Sequence, residues 1–363
     1  MARSAAGDRF AEWSASPARA VLALVAAVLI ACALTPLTHT HGEPKTPSLV
    51  PSAGAVERPR DDDLGLYDAI TARLARGENY YIVAVNEHRR VGFPLQPGVA
   101  VRLPTLAYAN ALLGDRGMIA AAIALILATL AAWWRRMGDE PGGADRRLVA
   151  MALLLVGVST GLNRYFFQLH ELWSGILLAL AFAVYRPGQW RAALAVAALA
   201  LAIREHALPF VLLMGAMAAR RRDWKETAAW GALAAIFLAA LGVHVQLIAA
   251  QVVPSDGHSA SWLALRGLAG WLSDIVLSSN LRFLPHWLAG PLVALMLLGW
   301  AGWRSAAGVF GTLLYAGYAA LFMIAGRVDN YYWGAMVAPA MFIGLAFAPR
   351  ALKSLWDASF ARR

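Results

Sequence analysis

Long apolar runs separated by short polar loops make up most of the sequence. A helix needs about 20 predominantly apolar residues to cross a hydrocarbon core of about 30 Å, and several of these runs approach or reach that length. The pattern predicts an all-α polytopic membrane protein of about 10 segments, two of which form a short hairpin. The eight other segments are predicted at about 20–37, 117–134, 148–165, 170–185, 227–250, 290–303, 305–325 and 334–349.

The stretch 192–218 departs from this simple pattern. Basic loops lie on both sides of it, and a single span would place one of them on the outer face. Its middle carries Arg204, Glu205 and His206. Charged side chains at the centre of a bilayer are unfavourable and usually functional. The stretch therefore predicts a hairpin of two short helices whose charged tip reaches an outer, water-filled cavity.

Two longer polar stretches interrupt the apolar runs, at 38–115 and 251–289. The first predicts an amphipathic helix over 63–76, because its apolar residues recur at helical spacing: Leu64, Tyr67, Ile70 and Leu74. A second short helix is predicted at 105–113, on the membrane surface. The other long loop contains an amphipathic stretch at 262–277.

Composition and charge agree with a membrane protein. Sixty per cent of the residues are hydrophobic, and the mean hydropathy is +0.54. The formal net charge of +10 could indicate nucleic acid, but the basic residues cluster at the ends of apolar runs, as the positive-inside rule describes. We therefore expect both termini in the cytoplasm, both long loops outside, no nucleic-acid partner, and one integral-membrane domain over residues 1–363.

The single cysteine, Cys32, excludes an intrachain disulfide. It closes the sequence Leu29-Ile30-Ala31-Cys32, which resembles a bacterial lipoprotein cleavage box. An ordinary uncleaved first helix is the favoured interpretation. Either outcome leaves the following loop on the outer face.

Three consecutive acids, Asp61, Asp62 and Asp63, stand at the start of the first amphipathic helix. They can serve as an N-cap with favourable helix-dipole charges, which needs only one or two of them. They can also supply a catalytic carboxylate at the membrane surface. The predicted topology places many other carboxylates and cations on the same face, where cations can bind a phosphate. The sequence has no glycine-rich phosphate loop and no zinc-type His/Cys spacing.

Several motifs on this outer face resemble the GT-C superfamily of polyprenol-phosphate-sugar glycosyltransferases. The resemblance begins with an aspartate after the first helix and continues through a short hairpin with a basic tip to a pattern near the C-terminus: Asp63, Tyr67, Gly77 and Tyr80, then Arg204, then Arg327, Tyr331 and Pro339. It spans most of the chain, although each motif is short. We expect none of the C-terminal soluble domain that some members carry, so the acceptor type stays open.

This resemblance implies that Asp63 is the general base, with Asp62 as its substitute, because a run of three acids allows more than one register. The base removes a proton from an acceptor hydroxyl, which attacks the sugar and expels polyprenyl phosphate with inversion. Glu171 is a third catalytic candidate, which would orient the acceptor or bind a metal; a carboxylate favoured by the helix dipole is the alternative. A divalent metal, Mg²⁺ or Mn²⁺, would use Asp62, Asp63 and Glu171.

The expected substrate-binding and phosphate-binding residues combine cations with polar and aromatic side chains: Arg204, Arg327, His170, Glu205, Tyr67, Tyr80, Arg89 and His258. Two of them have structural alternatives. Arg204 can pair with Glu205 or Glu171 instead of a phosphate. Arg327 can simply extend to the membrane interface.

The sequence thus predicts an inverting glycosyltransferase of the bacterial inner membrane, with its active site on the outer face. Its partners would be a polyprenyl-phosphate-linked sugar, a glycan, lipid or protein acceptor, and membrane lipids. One alternative is a transporter or flippase of lipid-linked precursors, which inverted repeats would favour; we find no repeat. A non-catalytic scaffold and an outer-face acyl- or phosphotransferase are the others, and the latter would use His88, His206 or His258.

Overall fold

A computed structural model describes residues 7–38 and 62–361, and the regular structure of this part is helical. The β-type backbone pairing in this part consists of isolated bridges, such as the one between Gln96 and His258. The α-helices of the described residues are α1 (Ala15–Leu34), α2 (Asp62–Leu74), α3 (Tyr80–Val91), α4 (Thr105–Asp139), α5 (Arg147–Val158), α6 (His170–Val184), α7 (Arg191–Ile203), α8 (Leu208–Arg220), α9 (Trp224–Ala249), α10 (Gly267–Leu277), α11 (His286–Gly302), α12 (Ala306–Ile324), α13 (Ala338–Met341) and α14 (Ala348–Phe360).

Four helical stretches of the described chain are long and apolar enough to cross a membrane: Ala15–Leu34, Gly98–Asp139, Trp224–Ala249 and Ala306–Ile324. The apolar helices α6, α7, α10 and α11 are shorter. The all-α membrane-protein class is therefore supported, and the count of about 10 segments stays a prediction.

The predicted hairpin at 192–218 is present. The helices α7 and α8 each have 13 residues, and a short 3₁₀ turn, Glu205–Ala207, lies between them. Arg204 ends α7 with an extended backbone, at φ −147° and ψ 121°. Pro209 then lies in the first turn of α8, where its missing amide hydrogen leaves no helical bond unmade.

The first long loop folds into a small helical layer of its own. The helix α2 confirms the predicted amphipathic helix, and it buries Leu66, Ile70 and Leu74 against α3 and the start of α4. The helix α3 was not predicted; Asn79 caps it by accepting hydrogen bonds from two backbone amides. The predicted helix at 105–113 is the first part of α4, which breaks at Gly114 with φ 60°.

The prediction of one regular helix at 334–349 was wrong. This segment consists of the end of the 3₁₀ turn Val328–Met336, the single turn α13 and a second 3₁₀ turn, Phe342–Ala346. Pro339 and Pro349 lack the amide donors that a continuous α-helix needs. Most of the segment is buried within the protein, where irregular backbone is tolerated at membrane depth.

The predicted amphipathic stretch at 262–277 also differs. The helix α10 begins only at Gly267, and it packs into the core rather than lying along a surface. Its carboxylate, Asp274, is fully buried and lies 2.9 Å from Nη1 of Arg266. The charge of Arg266 thus compensates the buried Asp274 carboxylate, as water would on an outer surface.

The helix α6 lies at the centre of the core, with all but two of its fifteen residues buried. Gly175 leaves no room for a Cβ, because the backbone of Ala335 lies against it. This close approach brings the start of α6, with His170 and Glu171, next to the 3₁₀ turn Val328–Met336. The helix α6 thereby contacts both the hairpin tip, Glu205–Ala207, and the 3₁₀ turn Val328–Met336.

Candidate functional site

A cavity of about 280 Å³ lies where five parts of the chain meet. These parts are the start of α2, the end of α3 with the connection to α4, the tip of the α7–α8 hairpin, the stretch 259–262, and the stretch 327–333. Its charged and histidine side chains are Asp63, His88, Arg102, Arg204, Glu205, His206, Arg327 and Asp329. Tertiary packing thus collects acids and cations that are far apart in the sequence.

Asp63 lies at the N-terminal end of α2, is partly buried and faces the cavity. Tyr332 makes a hydrogen bond to its carboxyl group. Burial raises the pKa of Asp63, and the Arg102 guanidinium opposes that increase more strongly than any other neighbouring group. The charges of Glu171 and Asp329 raise the pKa further, while the Tyr332 hydrogen bond lowers it. A carboxylate with a raised pKa is a stronger base, which suits proton removal from a hydroxyl.

Arg102 connects three walls of the cavity. Its Nε donates to the Tyr67 hydroxyl at 3.0 Å, and its Nη2 donates to the Tyr332 hydroxyl at 3.1 Å. The same Nη2 lies 3.6 Å from Oε1 of Glu171. Arg102 therefore holds two tyrosines of the cavity lining while its charge acts on Asp63 and Glu171.

Arg204, which lines the cavity, forms a buried ion pair with Glu171, which lies outside the lining. Nε of Arg204 lies 2.7 Å from Oε1 of Glu171, and each side chain is only 1% exposed. Nη1 of Arg204 also donates to Glu205, its neighbour in the hairpin tip. Glu171 consequently has two arginine neighbours, Arg204 and Arg102, on one oxygen.

Arg327 is held differently, because its environment is partly exposed. Its Nε lies 3.2 Å from Oδ1 of Asp329, with 30% and 51% of the two side chains exposed. Nη1 donates to Oγ of Ser259 at 3.0 Å and to the carbonyl of Ala260 at 3.2 Å. The guanidinium lies 5.8 Å from the ring centroid of Trp262.

Two histidines face the cavity in different settings. Nδ1 of His206 lies 3.2 Å from Oε1 of Glu205, and its ring packs on Trp333 with the centroids 4.3 Å apart. Nδ1 of His88 lies 2.6 Å from the carbonyl of Ala84, to which it donates. Burial lowers the pKa of His88 to about 4, so this side chain is neutral at pH 7.

The structure brings five of the sequence-predicted site residues to the cavity: Asp63, Tyr67, Arg204, Glu205 and Arg327. Glu171 and His170 lie behind its wall, where the His170 ring contacts Tyr67 with centroids 5.2 Å apart. There Glu171 pairs with Arg204 and Arg102, and it can orient these two arginine side chains of the cavity lining. Asp61 and the side chain of Asp62 lie outside the described residues.

Three predicted site residues are engaged away from the cavity lining. The Tyr80 hydroxyl donates to the carbonyl of Arg102 at 2.5 Å, which makes it a structural residue. Arg89 forms a two-pronged ion pair with Asp256, with both nitrogen–oxygen distances 2.8 Å. His258 pairs with Gln96 through its backbone. Local partners hold the side chains of the first two, and a role for all three in substrate binding stays a prediction.

No group of three or more His, Cys, Asp or Glu side chains with metal-binding geometry occurs among residues 7–38 and 62–361. The predicted set of Asp62, Asp63 and Glu171 is incomplete in this part of the chain, since the Asp62 side chain is not described. A metal at the site therefore stays a prediction.

Sequence reasoning missed several residues that line the cavity, chiefly Arg102, Tyr332 and Asp329. Arg102 belongs to none of the motifs quoted for the resemblance. Tyr332 belongs to none of them either, although it directly follows Tyr331. The sequence offered two signals for these residues: a tyrosine two residues after Asn330 and an acid two residues after Arg327.

No protein-family model matches this chain, and comparison with curated proteins and with solved structures likewise gives no match. The resemblance to GT-C glycosyltransferases therefore rests on the motifs quoted above.

Proposed function

We propose that this protein is an inverting glycosyltransferase that uses a polyprenyl-phosphate-linked sugar. The observation that carries the proposal is the single cavity in which a carboxylate, Asp63, faces three guanidinium groups, those of Arg102, Arg204 and Arg327. A base and a set of cations are the two requirements for moving a sugar from a phosphate to a hydroxyl.

In the proposed reaction, Asp63 accepts the proton of an acceptor hydroxyl. The hydroxyl oxygen forms a bond to the anomeric carbon of the donor, on the side opposite the phosphate. The bond between that carbon and the phosphate oxygen breaks, and polyprenyl phosphate leaves with the electron pair. Arginines of the cavity stabilise the negative charge that develops on the leaving phosphate. Neutral His88 offers a ring nitrogen that can accept a hydrogen bond from a sugar or acceptor hydroxyl.

The proposal includes a location. The cavity is lined by the hairpin tip and by the stretches 259–262 and 327–333, which follow α9 and α12 in the chain. The positive-inside distribution of arginines and lysines assigns these parts of the chain to the outer face of the membrane. We therefore propose about 10 membrane segments in a bacterial inner membrane, with the cavity open to the outside and lipid acceptors or donors arriving from the bilayer.

Release of polyprenyl phosphate from a donor panel tests this proposal. The purified protein would be incubated in lipid nanodiscs with synthetic polyprenyl-phosphate hexoses and pentoses, and free polyprenyl phosphate would be measured by mass spectrometry. We expect release with at least one donor, and loss of release in Arg327→Gln. The matched control is Arg89→Gln, since Arg89 is an ion-paired arginine outside the cavity lining. Absence of release from every donor, or equal release by Arg327→Gln and wild type, contradicts the proposal.

An outer-face acyl- or phosphotransferase is the second candidate, and one contact favours it. His206 lies in the cavity with Glu205 beside its Nδ1, an arrangement that can orient a histidine base. The variant His206→Gln separates the two candidates. A glycosyltransferase that relies on Asp63 should keep most of its activity in this variant, whereas a histidine-centred enzyme should lose it.

A further inference from the structure

The arginines of the cavity differ in how firmly their present partners hold them. Arg204 and Glu171 are each 1% exposed and 2.7 Å apart, whereas Arg327 and Asp329 are 30% and 51% exposed and 3.2 Å apart. Separating a buried ion pair leaves an uncompensated charge away from water. Separating an exposed pair changes little, because water and salt already screen it. Arg327 is therefore the cavity arginine that can exchange its acidic partner most readily.

Asp329 occupies the edge of the Arg327 guanidinium at which an incoming anion would bind. Both of its carboxylate oxygens lie near the Arg327 guanidinium, at 3.2 Å from Nε and 3.4 Å from Nη2. A phosphoryl group binds the same edge of a guanidinium in the same two-pronged way. Arg327 keeps two contacts on another nitrogen, Nη1, with Ser259 and Ala260. The guanidinium can thus change its anion without leaving the cavity wall.

We propose that Asp329 competes with the phosphoryl group of a lipid ligand for the Arg327 guanidinium, so that the Arg327–Asp329 pair is the ligand-free form of the phosphate site. This inference rests on the proposed function, because it takes the cavity to be the place where a phosphorylated lipid binds. It goes further by assigning Asp329 a role that opposes binding.

Competition of this kind has a physical consequence that distinguishes Asp329 from the other acids of the cavity. When Asp329 is neutralised, Arg327 loses a partner that the ligand would otherwise have to displace. Exposed ion pairs contribute about 0.2–1 kcal/mol, which corresponds to a factor of about 1.4 to 5 in affinity. The removal of a carboxylate should therefore strengthen binding, and only when Arg327 is present.

A double-variant cycle tests the inference with polyprenyl phosphate itself, which carries no sugar. Binding to the full-length protein in nanodiscs would be measured by native mass spectrometry for wild type, Asp329→Asn, Arg327→Gln and the double variant. We expect Asp329→Asn to bind about two to five times more tightly than wild type and Arg327→Gln to bind more weakly. The double variant should bind like Arg327→Gln alone.

Two controls separate competition from a general change in charge. Asp115→Asn removes an exposed, arginine-paired acid that does not line the cavity, and it should leave the affinity unchanged. Isoprenoid alcohol of the same chain length, which lacks the phosphate, should bind equally to wild type and Asp329→Asn. If Asp329→Asn strengthens binding to the same extent with and without Arg327, the effect is one of overall charge and the inference is overturned. Unchanged or weaker binding in Asp329→Asn also overturns it.

The failure of this inference can be told apart from the failure of the proposed function. Binding of polyprenyl phosphate with no competition from Asp329 overturns only the inference, while the donor-release experiment continues to test catalysis. Competition without release from any sugar donor supports a phosphate-lipid site and contradicts the glycosyltransferase. Absence of polyprenyl phosphate binding in wild type and Asp329→Asn contradicts both.

Discussion

At the residue scale, Asp63 is the carboxylate whose surroundings suit a base. It is partly buried, hydrogen-bonded to Tyr332 and close to the Arg102 charge. The run of three acids by itself allowed a helix cap as well as a base, because Asp63 lies at the start of α2. A cap and a base respond differently to the same substitution, since Asn caps a helix about as well as Asp but cannot take up a proton.

We therefore expect Asp63→Asn to fold normally and to lose transfer activity by about 10²- to 10⁴-fold, the usual loss when a general base is removed. Because the pKa of Asp63 is raised in the folded protein, its ionised form disfavours folding above that pKa. Stability at neutral pH should consequently not fall. Donor release and thermal unfolding of the same preparation measure both effects. If Asp62→Asn loses activity instead, the base is Asp62. If both variants keep full activity, neither Asp63 nor Asp62 is the base.

The pH dependence of activity should follow Asp63, because only the ionised carboxylate can act as a base. The raised pKa means that activity declines, as the pH falls, at a higher pH than an ordinary aspartate would give. Arg102 lowers this pKa, so Arg102→Gln should shift the decline to still higher pH. Arg102→Lys keeps the charge and should shift it less. Rate–pH profiles of the three proteins provide the measurement, and identical acid limbs would show that Arg102 does not influence the base.

At the scale of elements, the break between α7 and α8 presents three charged or titratable residues to the cavity while burying the first of them. A buried ion pair anchors that tip to the start of α6, through Arg204 and Glu171. The hairpin is thus fixed to the central helix rather than free at its tip. The alternative in which Arg204 pairs with Glu171 is the one that the contacts support, although Arg204 also lines the cavity.

This anchoring predicts that Arg204→Gln destabilises the protein. Removal of one partner of a buried pair typically costs about 3–5 kcal/mol, because the other charge stays buried. Glu171→Gln should have a comparable effect, since it leaves Arg204 uncompensated on that side. Arg327→Gln is the matched control, because its partly exposed pair should change stability by about 1 kcal/mol at most. Equilibrium unfolding in mixed micelles gives these differences, and equal stability of Arg204→Gln and Arg327→Gln would contradict the anchoring.

At the scale of the whole molecule, orientation in the membrane decides whether the cavity can work outside. The distribution of basic loops predicts that Glu205 lies on the outer side and Lys225 in the cytoplasm. Single cysteines at 205 and 225, in a background in which the buried Cys32 is replaced by alanine, should react differently with a membrane-impermeant maleimide. We expect labelling of position 205, and not of position 225, from the outside of intact cells. Labelling of position 205 only after the cytoplasmic side is exposed would invert the proposed orientation.

The sequence by itself determined the helical class, the hairpin with its break at Arg204 and the amphipathic helix α2. These features follow from local pattern, because a chain in lipid must satisfy its backbone hydrogen bonds within each segment. The irregular backbone after Arg327 is harder to predict from the sequence. The break in its helix depends on burial within the protein as well as on Pro339.

Only the tertiary structure decided which of the many outer-face polar residues share one cavity. Arg89, and not Arg102, was predicted from the sequence for substrate binding, yet Arg89 pairs with Asp256, whereas Arg102 donates to the cavity tyrosines. Likewise, the spacing of Arg327 and Asp329 suggests a pair, but the exposure of both side chains, on which the proposed exchange of partners rests, is a property of the folded chain. Contacts between segments far apart in the chain depend on how helices pack, and the energy of each ion pair depends on its burial; neither is a property of local sequence.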